Sequence, residues 1–275
     1  MIIDTHQHFW KYDKNKHSWI DESMIKLRQD FLPEDLEKVF QENSINGCIA
    51  VQADQSEAEN NFLLKLSDEN NFIKGVIGWV DFRKKDIKNK LQFYSDYKIL
   101  KGFRHVVQDE PDPNFLLRPD FIKGIELLDN HGFCYEILVF PHQLGSVLEF
   151  VKKFPNQKFV IDHIGKPYIK DGFFDGWACL IGEIAKNENV YCKISGMITE
   201  SVLDNWNYAQ LKPYIEHVYE SFGGKRIMFG SDWPVCLLAG NYKEMKSVAQ
   251  KFAEQLSENE KEDFWAVNAV KFYNI

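Results

Sequence analysis

Eight short apolar runs recur along the chain, and a helix-forming stretch separates each from the next. They fall at residues 1–5, 48–52, 75–81, 100–106, 134–140, 158–162, 190–194 and 226–230. Each has strand length and strand composition, and each ends in polar residues. Helix starts are marked between them: Pro33, Pro119 and Pro141 at first turns, and Ser56 and Ser257 each followed three residues later by glutamate. Strands alternating with helices imply parallel strands joined by crossovers. Eight such units in 275 residues predict one α/β domain over residues 1–275, a closed (β/α)8 TIM barrel. The competing arrangement is an open doubly wound sheet, but no G-x-G-x-x-G follows any run. No linker, repeat or low-complexity segment divides the chain.

Composition narrows the partners. With 44% hydrophobic and 27% charged residues the chain can bury a sizeable core. A net charge of −8 without a basic stripe argues against nucleic acid or an anionic membrane. No apolar run spans a bilayer, and the first residues lack the pattern of a signal peptide. The five cysteines are odd in number and form no C-x-x-C, which disfavours a disulfide framework or zinc knot and suits a reducing, cytoplasmic setting. Assembly as a homo-oligomer stays open.

In such a barrel the active site gathers at the C-terminal ends of the strands. His6 and His8, two residues apart, project to one side of a strand. His163 follows the sixth run, and Asp232 follows the eighth within Gly230-Ser231-Asp232-Trp233-Pro234. Imidazoles with a carboxylate suit a divalent metal, zinc foremost. The plainer alternatives are loop histidines, a hydrogen-bonded core His163 and an Asp232 that only caps a helix. Arg104 suits a substrate carboxylate or sugar oxygens. His105, Gln108, Tyr135, Lys166 and Trp233 complete the expected substrate lining, with Trp10, Trp79 and Trp233 available to stack on a sugar face. Asp162 directly precedes His163, so strand parity turns one of the two toward the helices. The segment up to Phe31 reads as a long loop at the first strand's C-terminal end, a place where long loops are usually functional.

The H-x-H of the first run, Asp162-His163-Ile164-Gly165-Lys166-Pro167 and Gly230-Ser231-Asp232-Trp233-Pro234 resemble motifs of the amidohydrolase superfamily. More narrowly they resemble its amidohydrolase 2 group. The stretch from Gly102 to Asp112, Phe115-Leu116-Leu117-Arg118-Pro119 and the closing Asn268-Ala269 with Phe272-Tyr273 are similar to the L-fuconolactonase and L-rhamnonolactonase branch. The resemblance implies hydrolysis of a sugar-acid lactone, with Asp232 and His163 catalytic and His6, His8, His163 and Asp232 as the core set. Binuclear members carry a bridging lysine at the end of strand four. Here Lys101 begins that strand and Arg104-His105 ends it, so the resemblance implies one divalent ion, zinc foremost, or none. Decarboxylation or lactone isomerisation at the same site, and non-catalytic sugar-acid binding, are the other readings.

Overall fold

The structure, a computed structural model, describes residues 1–275. Eight parallel strands pair in chain order: β1 (Ile3–Gln7), β2 (Gly47–Val51), β3 (Ile73–Gly78), β4 (Leu100–Val106), β5 (Cys134–Leu138), β6 (Phe159–Ile161), β7 (Val190–Ile194) and β8 (Ile227–Phe229). The ring closes between β8 and β1. Thr5 Oγ1 donates to Phe229 O at 2.7 Å, and beyond the strands Asp232 N donates to His6 O at 2.8 Å and His8 N to Trp233 O at 2.7 Å. That closure rules out the open sheet and gives the (β/α)8 barrel. The first strand lies two residues later than expected, which brings His6 inside it.

The crossovers use α1 (Pro33–Asn43), α2 (Glu57–Glu69), α3 (Ile87–Tyr94), α4 (Pro119–Ile125), α5 (Leu144–Lys153), α6 (Asp175–Ala185) and α7 (Tyr208–Phe222). After β8 come α8 (Tyr242–Ala253), α9 (Glu258–Glu262) and α10 (Asn268–Tyr273). The marked starts behave as their chemistry requires: Ser56 Oγ accepts from Glu59 N at 3.3 Å, and Ser257 Oγ from Glu260 N at 3.4 Å. The loop after β1 contains one 3-10 stretch, Glu22–Leu27. No helix is long and apolar enough to cross a membrane.

Strand parity divides the core. Phe103, Tyr135 and Phe159 point outward and pack beneath the helices. Ile3, Ile49, Val51, Ile77, Cys134, Val160 and Met228 fill the barrel, and Phe272 and Tyr273 of α10 close it at the strands' N-terminal end. Above this plug the interior becomes charged. Lys193 Nζ lies 2.6 Å from Glu136 Oε2 and 3.1 Å from Asp162 Oδ1. Tyr273 Oη donates to Glu136 Oε1 at 2.6 Å, and Arg104 Nη1 to Asp162 Oδ2 at 3.1 Å. All five side chains are buried, so each charge depends on its partners for what water would otherwise supply. This layer is the floor on which the site stands.

Candidate active site

Asp232 Oδ1 sits among three imidazole edges at the mouth of the barrel. His8 Nε2 lies 3.4 Å from it, and His6 Nε2 and His163 Nε2 each lie 3.9 Å away. Burial raises the Asp232 pKa, but His163, His8 and Lys166 together outweigh that and leave it below the usual carboxylate value. Asp232 is therefore ionised at neutral pH. Burial holds His6 and His163 well below the usual imidazole value, so both rings are neutral.

The β6 tip reaches this cluster by an unusual path. His163, Ile164, Gly165 and Lys166 all have positive φ, between 47° and 73°. A left-handed turn is costly for L-residues, above all β-branched Ile164. It is held by named partners: Trp177 Nε1 donates to Ile164 O at 2.8 Å, and Lys166 N to His163 O at 2.8 Å. His163 Nδ1 bonds Ser195 Oγ at 2.9 Å, and a Cβ at Gly196 would run into the His163 ring. The turn overrides the parity expected of Asp162 and His163. The strand has already ended at Ile161, and both side chains face inward, Asp162 into the charged floor and His163 into the mouth.

The donor set tests well for a metal. His8 Nδ1 lies 2.8 Å from Val51 O, a group that only accepts, so the proton of a neutral ring sits on Nδ1. Nε2 is then bare and faces a carboxylate oxygen. Two acceptors so placed suit a cation between them. His6, His8 and Asp232 form one buried group of ligand atoms, with His163 turned to the same carboxylate. Second partners orient the rings: Val51 O for His8, Ser195 for His163 and Asp162 Oδ1, 3.2 Å from His6 Nδ1. His6 Nε2 also has Arg104 Nη1 at 3.2 Å. Three imidazoles and one carboxylate match the ligand types of zinc.

A cavity of about 1020 Å³ opens over this cluster. Arg104, Gln108, Lys166, His8, His163 and Asp232 line it as expected. Three expected lining residues lie elsewhere. His105 points outward on β4, stacked on Phe115 at 4.7 Å and bonded to Glu110 Oε1 at 2.7 Å. Tyr135 points outward on β5 among Phe82, Phe121 and Phe150. Trp233 packs edge-on against Phe9 and Phe31 behind the mouth. Of the other tryptophans expected to stack, Trp10 is buried against Phe31 and Trp79 lies over His105. The aromatic wall belongs instead to Trp19, from the loop after β1, and Phe140. Gln52 and Asp54, at the end of the second apolar run, also line the cavity; Glu200 lines it too and lay outside the expected set. So did Asp4, whose Oδ1 accepts from His6 N at 3.1 Å and Ser231 N at 2.9 Å, tying the two motif-bearing tips together.

Residues 3–275 match the model of the amidohydrolase family Amidohydro_2. An L-fucono-1,5-lactonase of Burkholderia multivorans is 35% identical over 98% of this chain and 95% of its own length. An L-rhamnono-gamma-lactonase of Scheffersomyces stipitis is 29% identical over 66% of this chain and 61% of its own length. A zinc-bound crystal structure of an amidohydrolase from Burkholderia multivorans superposes with a TM-score of 0.97, at 34% identity, covering 100% of this chain and 99% of that one. The motif-bearing strand tips, the barrel that gathers them and these likenesses agree: the chain belongs to the amidohydrolase family Amidohydro_2.

Proposed function

We propose that this protein hydrolyses a sugar-acid lactone to the open-chain aldonic acid. The observation that carries the reading is the ionised Asp232 carboxylate, ringed by three imidazole edges beneath a cavity whose wall includes Arg104, Gln108 and Lys166. The likeness to an L-fucono-1,5-lactonase over nearly the whole chain supports lactone over amide.

Asp232 acts as general base. It takes one proton from water as the water oxygen bonds to the ester carbonyl carbon. The ring C–O bond then breaks, and Asp232 returns that proton to the departing ring oxygen. One water is consumed, a hydroxyl and a carboxylic acid are formed, and no electrons are exchanged. His6, His8, His163 and Asp232 would hold one divalent ion, zinc foremost. When bound, such an ion supplies Lewis-acid polarisation of the carbonyl. In a site that works without an ion, His163 can donate from Nε2 to the developing oxyanion, with its Nδ1 accepting from the Ser195 hydroxyl. Gln108 orients substrate hydroxyls, while Arg104, held by Asp162 and Gln52, lends its charge to the wall. The buried Gln108 Oε1 lacks a donor within the protein, which suits a hydroxyl. The four buried thiols and exposed Cys179, all unpaired, support a cytoplasmic setting.

The test is a panel of aldonolactones with a pH indicator, run with and without chelator. Acid release from a neutral lactone with no carbon dioxide is the expected result. Carbon dioxide release, or binding without turnover across the panel, would overturn the reading.

A further inference from the structure

Lactone hydrolysis converts a neutral ligand into an anion beside an ionised carboxylate. Where no ion compensates it, Asp232 repels the product it has just made, so the new charge falls to the cavity's own cations. Three line the wall: Lys16, Arg104 and Lys166. Lys16 is exposed on the loop after β1. Both terminal nitrogens of Arg104 are taken, Nη1 by Asp162 Oδ2 at 3.1 Å and Nη2 by Gln52 O at 2.6 Å. Lys166 differs from both. It ends the left-handed turn that carries His163, and its Nζ lies over the Phe140 ring, 5.2 Å from the centroid. Its one carboxylate partner is Glu200 Oε1 at 3.4 Å, well beyond the length of a tight charge-assisted bond. Glu200 is itself a half-buried wall residue of the same cavity. The pair is loose, shielded and open to the ligand.

We infer that Lys166 takes up the carboxylate of the product, exchanging Glu200 for it, and so makes the site distinguish anionic aldonate from neutral lactone. This rests on the lactone-hydrolysis reading above. Glu200 is the resting partner that keeps the ammonium compensated while the ligand is neutral. It also competes with the product and so eases its release. Proximity of Lys166 to the reacting centre is supported by its place among the charges that hold Asp232 low.

The experiment measures two quantities on the full chain: the Kd for L-fuconate by calorimetry and the KM for L-fuconolactone by a pH indicator. Lys166→Met raises the ratio of Kd to KM about tenfold, the loss of one charge-assisted contact. Lys166→Arg keeps the ratio within about threefold of wild type. Glu200→Gln tightens L-fuconate binding, because the lysine has lost its competitor. Binding of L-fuconate that is indifferent to Lys166→Met would overturn the inference. So would a KM that rises in step with Kd, since Lys166 would then be contacting the neutral ring. Calorimetry reports on Lys166 even if no lactone is turned over, so failure of the functional reading is distinguishable from failure of this one.

Discussion

His8 Nε2 faces Asp232 Oδ1 at 3.4 Å while the other nitrogen of the same ring is committed to the Val51 carbonyl at 2.8 Å. This pairing of a bare imidazole nitrogen with an ionised carboxylate suits one divalent ion per chain. His8→Ala should weaken zinc binding by at least about tenfold. Equilibrium dialysis with metal analysis reads this directly, independent of activity. Equal zinc retention by the variant would remove His8 from the ligand set.

The left-handed turn at the β6 tip depends on room beside it. Gly196 has φ 64°, and a Cβ there meets the His163 ring. Gly196→Ala should cost about 1–2 kcal/mol of stability from the backbone alone. By displacing His163 it should also lower kcat by about 100-fold. Thermal melts and steady-state kinetics separate the two effects. A variant that melts lower but keeps full kcat would show that His163 tolerates the shift.

The barrel was legible because periodicity survives in a single sequence: apolar runs of strand length alternate with capped helices, and that alternation admits few folds. The cluster of His6, His8, His163 and Asp232 was legible because all four follow apolar runs. Less was legible where one residue of register matters. His105 and Tyr135 sit at polar or aromatic tips, yet β4 and β5 turn Arg104 and Glu136 inward and those two outward. Parity counted from interior Cys134 and Val160 would have drawn Glu136 and Asp162 into the barrel. Parity failed at His163, because nothing in Asp162-His163-Ile164 announces a positive φ. The link between Lys193, Glu136 and Tyr273 spans three distant segments and has no local signature.

That link carries its own prediction. Lys193 Nζ compensates Glu136 and Asp162 where none of the three meets water. Lys193→Met leaves the buried Glu136 without its cation and Asp162 with Arg104 alone, and should cost about 3–5 kcal/mol. The double variant Lys193→Met with Glu136→Gln should recover part of this, since one of the stranded charges is gone. Chemical denaturation measures both. A Lys193→Met protein as stable as wild type would mean the floor is not held by charge.

Glu59 gives a pH signature just behind the cavity wall, beside Ala53 and Asp54. Its Oε1 accepts from Ala53 N at 3.0 Å, and burial raises its pKa from 4.5 to about 7. The folded state therefore holds the proton more tightly than the unfolded chain. Its contribution to stability is fully present below pH 4.5 and is lost as pH rises to about 7. The loss amounts to about 3 kcal/mol at most. Glu59→Gln has no such proton to lose, so its stability relative to wild type should climb across that window. A difference between the two that is flat from pH 4.5 to 7 would place the Glu59 carboxyl near its ordinary value.

In the proposed reaction, turnover depends on Asp232 as the base. The direct measurement is kcat/KM for Asp232→Asn on a lactone that the wild type turns over, alongside a melting curve for each. A loss of about 1,000-fold or more with the fold intact is the expected result. A folded Asp232→Asn enzyme with near wild-type kcat/KM would contradict it.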